Sequence, residues 1–235
     1  SSAASDVYKR QVQKEDITEN GIKYIKQDGS VGYYQTVNKT TPVAGDVKYV
    51  DRNGDGVVDD NDRDIIGNPN PDFTYGFQTK VSWKSLSLSA SFNGVQGRDI
   101  LNVGNRYNNT PGTKSNNVTR KAFQNMWTDE NPSNLYPKST FVVQNMVMDR
   151  YVEDGSYLRC SDITLSYVLP AKWTNKIGIK NTSVYASVKN AFVITDYSGY
   201  DPEVNSFAFD GLRPGVDMNS YPTPRSFVFG LNLTF

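Results

Sequence analysis

Ser226-Phe-Val-Phe-Gly-Leu-Asn-Leu-Thr-Phe235 is the stretch that decides the fold of this chain. Phe227, Phe229, Leu231, Leu233 and Phe235 are apolar, while Ser226, Val228, Gly230, Asn232 and Thr234 are mostly small or polar. A near-strict period of two is the mark of a strand with one apolar face. About ten such residues are the length of a tilted strand crossing the hydrocarbon core of a bilayer. Ending on an outward aromatic, Phe235, is expected of the closing strand of an outer-membrane β-barrel rather than of a soluble sandwich.

Composition narrows the alternatives. The 25 basic and 25 acidic residues cancel, which argues against nucleic acid and against electrostatic attachment to anionic lipid. No apolar run approaches the ~18 residues of a membrane helix, so a membrane role has to be through strands. With no His and only Cys160, the chain has no intrachain disulfide, no Cys/His zinc site and no His-based nucleophilic triad. Cys160 reads as an inert small side chain in a strand. Residues 1–11 hold no apolar signal-peptide core and read as a scar or fragment boundary, unassigned to any fold.

Four more strands follow from alternation. Phe73, Tyr75, Phe77, Val81 and Trp83 share one parity over 73–83, and Leu86, Leu88, Ala90 and Phe92 share the other over 86–96. A turn at Lys84-Ser85 would pair Trp83 with Leu86, Val81 with Leu88, Thr79 with Ala90 and Phe77 with Phe92, all on one face. Strands over about 157–169 and 182–194 carry Ile163, Leu165, Tyr167 and then Val184, Ala186, Val188 in phase. The expected fold is therefore all-β, with antiparallel strands forming part of a transmembrane barrel over 73–235. Phe77, Val81, Leu88, Phe92, Leu165, Val184, Phe229 and Leu231 should face lipid. Connections alternate short (84–85, 170–181) and long (97–156, 196–225), as brief periplasmic turns alternate with external loops. A helix is expected near 118–127, with Ala122, Phe123 and Met126 on one face, and residues 12–72 read as an external loop region.

Ligand chemistry is concentrated in Asp51-Arg-Asn-Gly-Asp-Gly-Val-Val-Asp-Asp-Asn-Asp62. Counting from Asp51, side-chain oxygens fall at positions 1 (Asp51), 3 (Asn53), 5 (Asp55), 9 (Asp59) and 12 (Asp62). Gly56 stands where the loop must turn sharply, and Val57 can offer its carbonyl. Hard oxygen donors at that spacing suit Ca²⁺ in a structural role. Position 12 is Asp where an EF-hand has Glu, and no helices flank the loop. The competing reading is an acidic solvated turn. Tyr107, Trp127, Tyr136, Tyr197, Tyr200 and Tyr221 in the long loops are equally readable as substrate contacts or as packing. No residue is assigned to catalysis.

Four segments resemble the SusC/RagA-type TonB-linked outer-membrane transporters of Bacteroidetes: 45–59 running into 66–76, 157–170 (YLRCSDITLSYVLP), 190–205 (NAFVITDYSGYDPEVN) and 222–235 (PTPRSFVFGLNLTF). The resemblance covers about residues 22–235 and implies the C-terminal portion of a longer barrel protein. It implies uptake of glycans or peptides, a SusD-like lipoprotein as partner, outer-membrane lipid around the strands, and TonB engaged through a missing N-terminal part. SusD-like contacts would fall on 97–155 and 196–225. Two other readings start from the same residues: a soluble calcium-dependent carbohydrate-binding β-sandwich, and a secreted glycosidase using an Asp/Glu pair. The terminal strand and the alternation of loop lengths favour the barrel.

Overall fold

A computed structural model describes residues 2–4, 11–26, 28–110, 117–139, 147–174, 181–203, 206–207 and 209–234. The chain divides into two compact units. One takes in Asn70–Asp99, Asp154–Val204 and Ser220–Phe235, and is built on five strands. These are β1 (Phe73–Trp83), β2 (Leu86–Gln96), β3 (Tyr157–Val168), β4 (Asn181–Thr195) and β5 (Ser226–Thr234). They lie side by side in chain order, every neighbouring pair antiparallel. The expected β1–β2 register is the observed one: Trp83 opposes Leu86, Val81 opposes Leu88, Thr79 opposes Ala90 and Phe77 opposes Phe92. Lys84 takes the left-handed conformation (φ 54°) that a two-residue turn demands.

Carried across all five strands, the register gathers most apolar side chains on one face and most polar ones on the other. Val81, Leu88, Leu165, Ala186 and Phe229 form one row, and Trp83, Leu86, Tyr167, Val184 and Leu231 the next. The intervening row on the opposite face is Ser82, Ser87, Ser166, Tyr185 and Gly230, preceded by Lys80, Ser89, Thr164, Ser187 and Val228. The apolar face is open rather than packed: Val81 is 64% and Phe229 78% exposed. Phe92 shares this face and is half-buried because Phe77 stacks on it at 4.5 Å and Phe192 meets it edge-on at 6.4 Å. Phe235 lies outside the described residues.

Two details set the local geometry of the sheet. Tyr75 and Tyr185 lie directly opposite Gly94 and Gly230, and each ring occupies the space that a Cβ on its glycine would need. An aromatic ring over a cross-strand glycine restores contact that the missing side chain would otherwise forfeit. Between Cys160 and Asp162 the β3 register shifts against both neighbours, with Ser161 as the extra residue against β2. Its hydroxyl donates to Ser91 O at 3.1 Å. In β4 the same shift falls on Asn190, left-handed at φ 52°, whose side-chain amide donates to Pro224 O at 3.0 Å. The bulge thus marks where β5 begins.

The second unit comprises Ser1–Pro69, Ile100–Glu153 and Asn205–Asn219. Its core joins Val12, Ile22, Tyr24, Tyr34, Val37, Val47, Tyr49, Val50 and Val58 to Met148 and Tyr151. Short strands at Ile17–Thr18, Gly21–Ile25 and Val31–Tyr34 make an antiparallel sheet that presents Ile22, Tyr24 and Tyr34 inward. Residues 12–72 thus include a folded lobe with its own buried side chains. Ser2–Ala4, within the segment set aside as a scar, pairs with Arg63–Ile65, and Gln11 is fully buried. The expected helix forms as α2 (Arg120–Asn125), following α1 (Val103–Asn109), with Thr119 capping it through the Ala122 N–H at 3.1 Å. The shared apolar face does not form: Ala122 is buried and Phe123 exposed. A six-residue helix turns too few residues inward to bury both.

Candidate functional site

The acidic loop folds around two buried carboxylates. Asp51 Oδ1 and Oδ2 accept from the N–H groups of Gly54 (2.6 Å) and Gly56 (2.8 Å). Asp62 Oδ1 accepts from Arg52 (2.7 Å) and Asn53 (3.3 Å), and its Oδ2 from Asp59 N–H at 2.8 Å. Asn53 and Asp55 stay at the exposed tip, joined by Asn53 Nδ2–H donating to Asp55 Oδ2 at 3.0 Å, and Asp59 accepts from Asn61 N–H at 2.7 Å. Gly56 has φ 85°, the conformation its place in the turn requires. Val57 and Val58 pair in parallel with Thr36 and Val37, and the Gly56 and Val58 carbonyls accept from Gln35 and Asn38. Alternation along the strand aims the Val57 carbonyl the other way.

As a test of fit to a hard cation, the donors are right in kind and spacing, and carboxylate oxygens that accept one N–H keep lone pairs for an ion. The six proposed donors are not drawn to one point, however. Among the described residues no three acidic side chains converge as a metal-holding group. Asp51 and Asp62 do structural work here, satisfying five amides of a loop that no helix flanks.

A second polar centre was not legible beforehand. Arg159 projects from β3 on the polar face and is 5% exposed. Its Nη2 donates to Asp201 Oδ1 at 2.5 Å, and its Nε stands 2.8 Å from Glu203 Oε2, an ion pair without hydrogen-bond alignment. Glu203 Oε1 also accepts from Tyr157 OH at 2.6 Å and from Asn93 Nδ2–H at 3.2 Å. Asp201 accepts the N–H groups of Glu203 (3.0 Å) and Thr223 (2.9 Å). Burial pushes the Asp201 carboxyl up, but those two amides and the Arg159 guanidinium outweigh it and hold it below the usual carboxylate range. Arg98 donates to Pro202 O. The segment after β4 is therefore tied down onto the polar ends of β2 and β3. The only available signal was a lone Arg in an otherwise uncharged strand segment, Tyr157-Leu-Arg-Cys-Ser, with two acids in Tyr200-Asp-Pro-Glu203.

The loop aromatics divide. Trp127 is buried, its Nε1–H donating to Gln13 Oε1 at 3.0 Å and its ring covering Gly45, and Tyr197 is buried likewise. Tyr107, Tyr200 and Tyr221 are exposed, and Tyr136 lines a cavity with Tyr151.

No protein-family model matches the chain. TonB-dependent receptor P26 of Formosa agariphila is 35% identical over 201 residues, which cover 82% of this chain and 20% of that receptor. TonB-dependent receptor SusC of Bacteroides thetaiotaomicron is 33% identical over 245 residues, 98% of this chain and 22% of SusC. By homology, this is a SusC-type TonB-dependent receptor sequence. It spans about a fifth of the length of the relatives it matches. The structure of the RagAB peptide transporter superposes with a TM-score of 0.65 at 26% identity, over 91% of this chain and 22% of that one. The RagAB peptide importer in its open-open state gives 0.63 at 26%, over 94% and 21%.

The five-stranded sheet of this SusC-type chain is part of an outer-membrane-type β-barrel, which accounts for an apolar face left open. Trp83 and Tyr167 mark one end of that face and Phe73 and Tyr75 the other. From Tyr75 to Trp83 a strand rising about 3.3 Å per residue covers ~26 Å. A tilt of about 40° leaves roughly 20 Å of depth between the aromatic ends, close to the apolar band of such barrels. No described helix is long and apolar enough to cross a membrane.

Proposed function

We propose that this chain forms part of the barrel wall and external loops of an outer-membrane importer of glycans or peptides. It works there with a SusD-like surface lipoprotein, and TonB energises the receptor through a part not contained in residues 1–235. It carries no catalytic step. The observation that supports the reading best is the sheet with one largely apolar, open face backed by a largely polar one. Water or a wet lumen accepts the second face, and only lipid accepts the first. In this topology the Lys84-Ser85 turn and residues 170–181 face the periplasm, while 97–155 and 196–225 lie outside, where the lipoprotein docks. A membrane-impermeant maleimide applied to intact cells should label a cysteine placed at Leu212, 92% exposed, and leave one placed at Ser85 unlabelled. The opposite pattern would reverse the orientation and remove the basis for the partner.

We also propose that Asp51, Asn53, Asp55, the Val57 carbonyl, Asp59 and Asp62 hold a structural Ca²⁺. Supporting this are the spacing of the oxygens and the turn at Gly56. The ion would supply charge neutralisation to a loop carrying two buried carboxylates. Calorimetric titration of the refolded protein should show Ca²⁺ binding that Asp55→Ala weakens at least tenfold; the two bonds Asp55 accepts, from Asn53 Nδ2–H at 3.0 Å and Val57 N–H at 2.8 Å, lie at the exposed tip, and those of Asp51 and Asp62 to the loop amides remain. Unchanged heats in that variant would remove Asp55 from the set.

A further inference from the structure

The zero net charge of the chain is an average that the two ends of the sheet do not share. Residues 79–90, 163–187 and 228–235 comprise the strand halves at the Lys84-Ser85 end and the connection between β3 and β4. They contain Lys80, Lys84, Lys172, Lys176 and Lys180, and no Asp, Glu or Arg. At the other end Asp72, Asp99, Asp154 and Asp196 flank the same strands, with Arg98 and Arg159 among them. One end is basic without offset, and the other is mixed.

Lys84 and Lys172 stand where the apolar face stops. Its last row is Trp83, Leu86, Tyr167, Val184 and Leu231. Just past that row Val168 N–H donates to Ser85 O at 2.8 Å and Leu169 N–H to Thr182 O at 2.9 Å, so the turn and the start of the connection lie side by side. The Lys84 ammonium sits 4.7 Å from the centre of the Trp83 ring, which is 67% exposed on the apolar face. Trp173, next to the exposed Lys172, is itself 65% exposed. Lys80 shares its row with Ser89 and Thr164 on the polar face and takes no part.

We propose that this rim binds the headgroups of net-anionic phospholipids in preference to zwitterionic ones, holding the sheet to one leaflet by charge as well as by its apolar face. Trp and Tyr rings sit at headgroup depth in membrane barrels. A Lys stem laid along such a ring carries its ammonium to the level of the phosphates. A zwitterionic headgroup brings an ammonium of its own, which repels the Lys that its phosphate attracts; phosphatidylglycerol brings none. Each Lys near an anionic surface strengthens the attraction about fivefold, and no acid in these stretches cancels it.

The proposal rests on the barrel reading for there being a bilayer beside the sheet, but not on which leaflet the rim meets. The receptor containing this chain would be reconstituted in phosphatidylcholine vesicles with a fluorophore on a cysteine at one of two positions. Ala171 is exposed beside Lys172, and Phe73 is 56% exposed at the other end of the apolar face. Brominated phosphatidylglycerol and brominated phosphatidylcholine are compared as quenchers at equal mole fraction. At 171 the anionic lipid should be enriched about threefold at low salt. That advantage should vanish in ~0.5 M NaCl and in K84N/K172Q, where Asn suits the left-handed backbone at 84 (φ 54°). At 73 the two lipids should quench alike. Equal quenching at 171, whether or not the rim captures soluble dextran sulfate, would overturn the proposal. So would an advantage of the same size at 73, or one that survives K84N/K172Q. No quenching by either lipid at either position would instead sink the barrel reading.

Discussion

Replacing Arg159 with Ala should free the segment around Asp201–Glu203 from the sheet and cost about 3–5 kcal/mol, the usual cost of leaving a buried charge without its partner. Asp201 is as enclosed as Arg159, with side-chain exposures of 4% and 6%, so no water replaces the guanidinium. Hydrogen exchange at Glu203 N–H and Thr223 N–H, both donors to Asp201, would report the release. Removing both charges in R159M/D201N should cost less than R159A alone, because the uncompensated carboxylate goes too. The pH dependence follows in sign. Because the folded Asp201 is depressed, its contribution is present above the unfolded carboxylate value, about 3.9, and is lost as pH falls through the lower folded one. Without Arg159 the folded value rises, and loosening on acidification should begin at higher pH. Unaltered exchange at both amides would show that the network does not hold the loop.

The second large effect separates two neighbours in sequence. Phe229→Lys puts an ammonium in the row of Val81, Leu88, Leu165 and Ala186, whereas Val228→Lys puts it beside Ser187 in the row of Lys80, Ser89 and Thr164. In lipid vesicles the first should lower unfolding stability by about 2–4 kcal/mol, the cost of a cation on the lipid face near the bilayer midplane. The second should stay within about 0.5 kcal/mol. Urea unfolding in vesicles measures both. Equal losses would mean that the two faces do not meet different solvents, and the barrel assignment would fall with that result.

Both predictions start from features that differ in how far they could be read in advance. The five strands, the Lys84-Ser85 turn and the β1–β2 register were available from residue order alone. Alternation is a local property: the side chains of a strand point to opposite faces whatever the rest of the chain does, and one slip would expose every Ser row to lipid. The acidic loop was legible for the same reason, its oxygens being spaced within twelve residues. What those oxygens bond to was not, since the chemistry that suits a cation equally suits backbone amides.

Tertiary structure decided the rest. Met148 and Tyr151 complete a core begun at Val12 and Tyr24, and Tyr49 OH meets Met148 Sδ at 3.8 Å across 99 residues. The strands that build this core are two to five residues long, too short for a period to stand out against turns. Arg159 finds Asp201 across 42 residues, and nothing in the composition of either segment names the other. Periodicity determined which residues of this protein form strands and which face each presents. The partners of its buried charges and the members of its second core were determined by closure of long connections, which brings together residues that no local rule pairs.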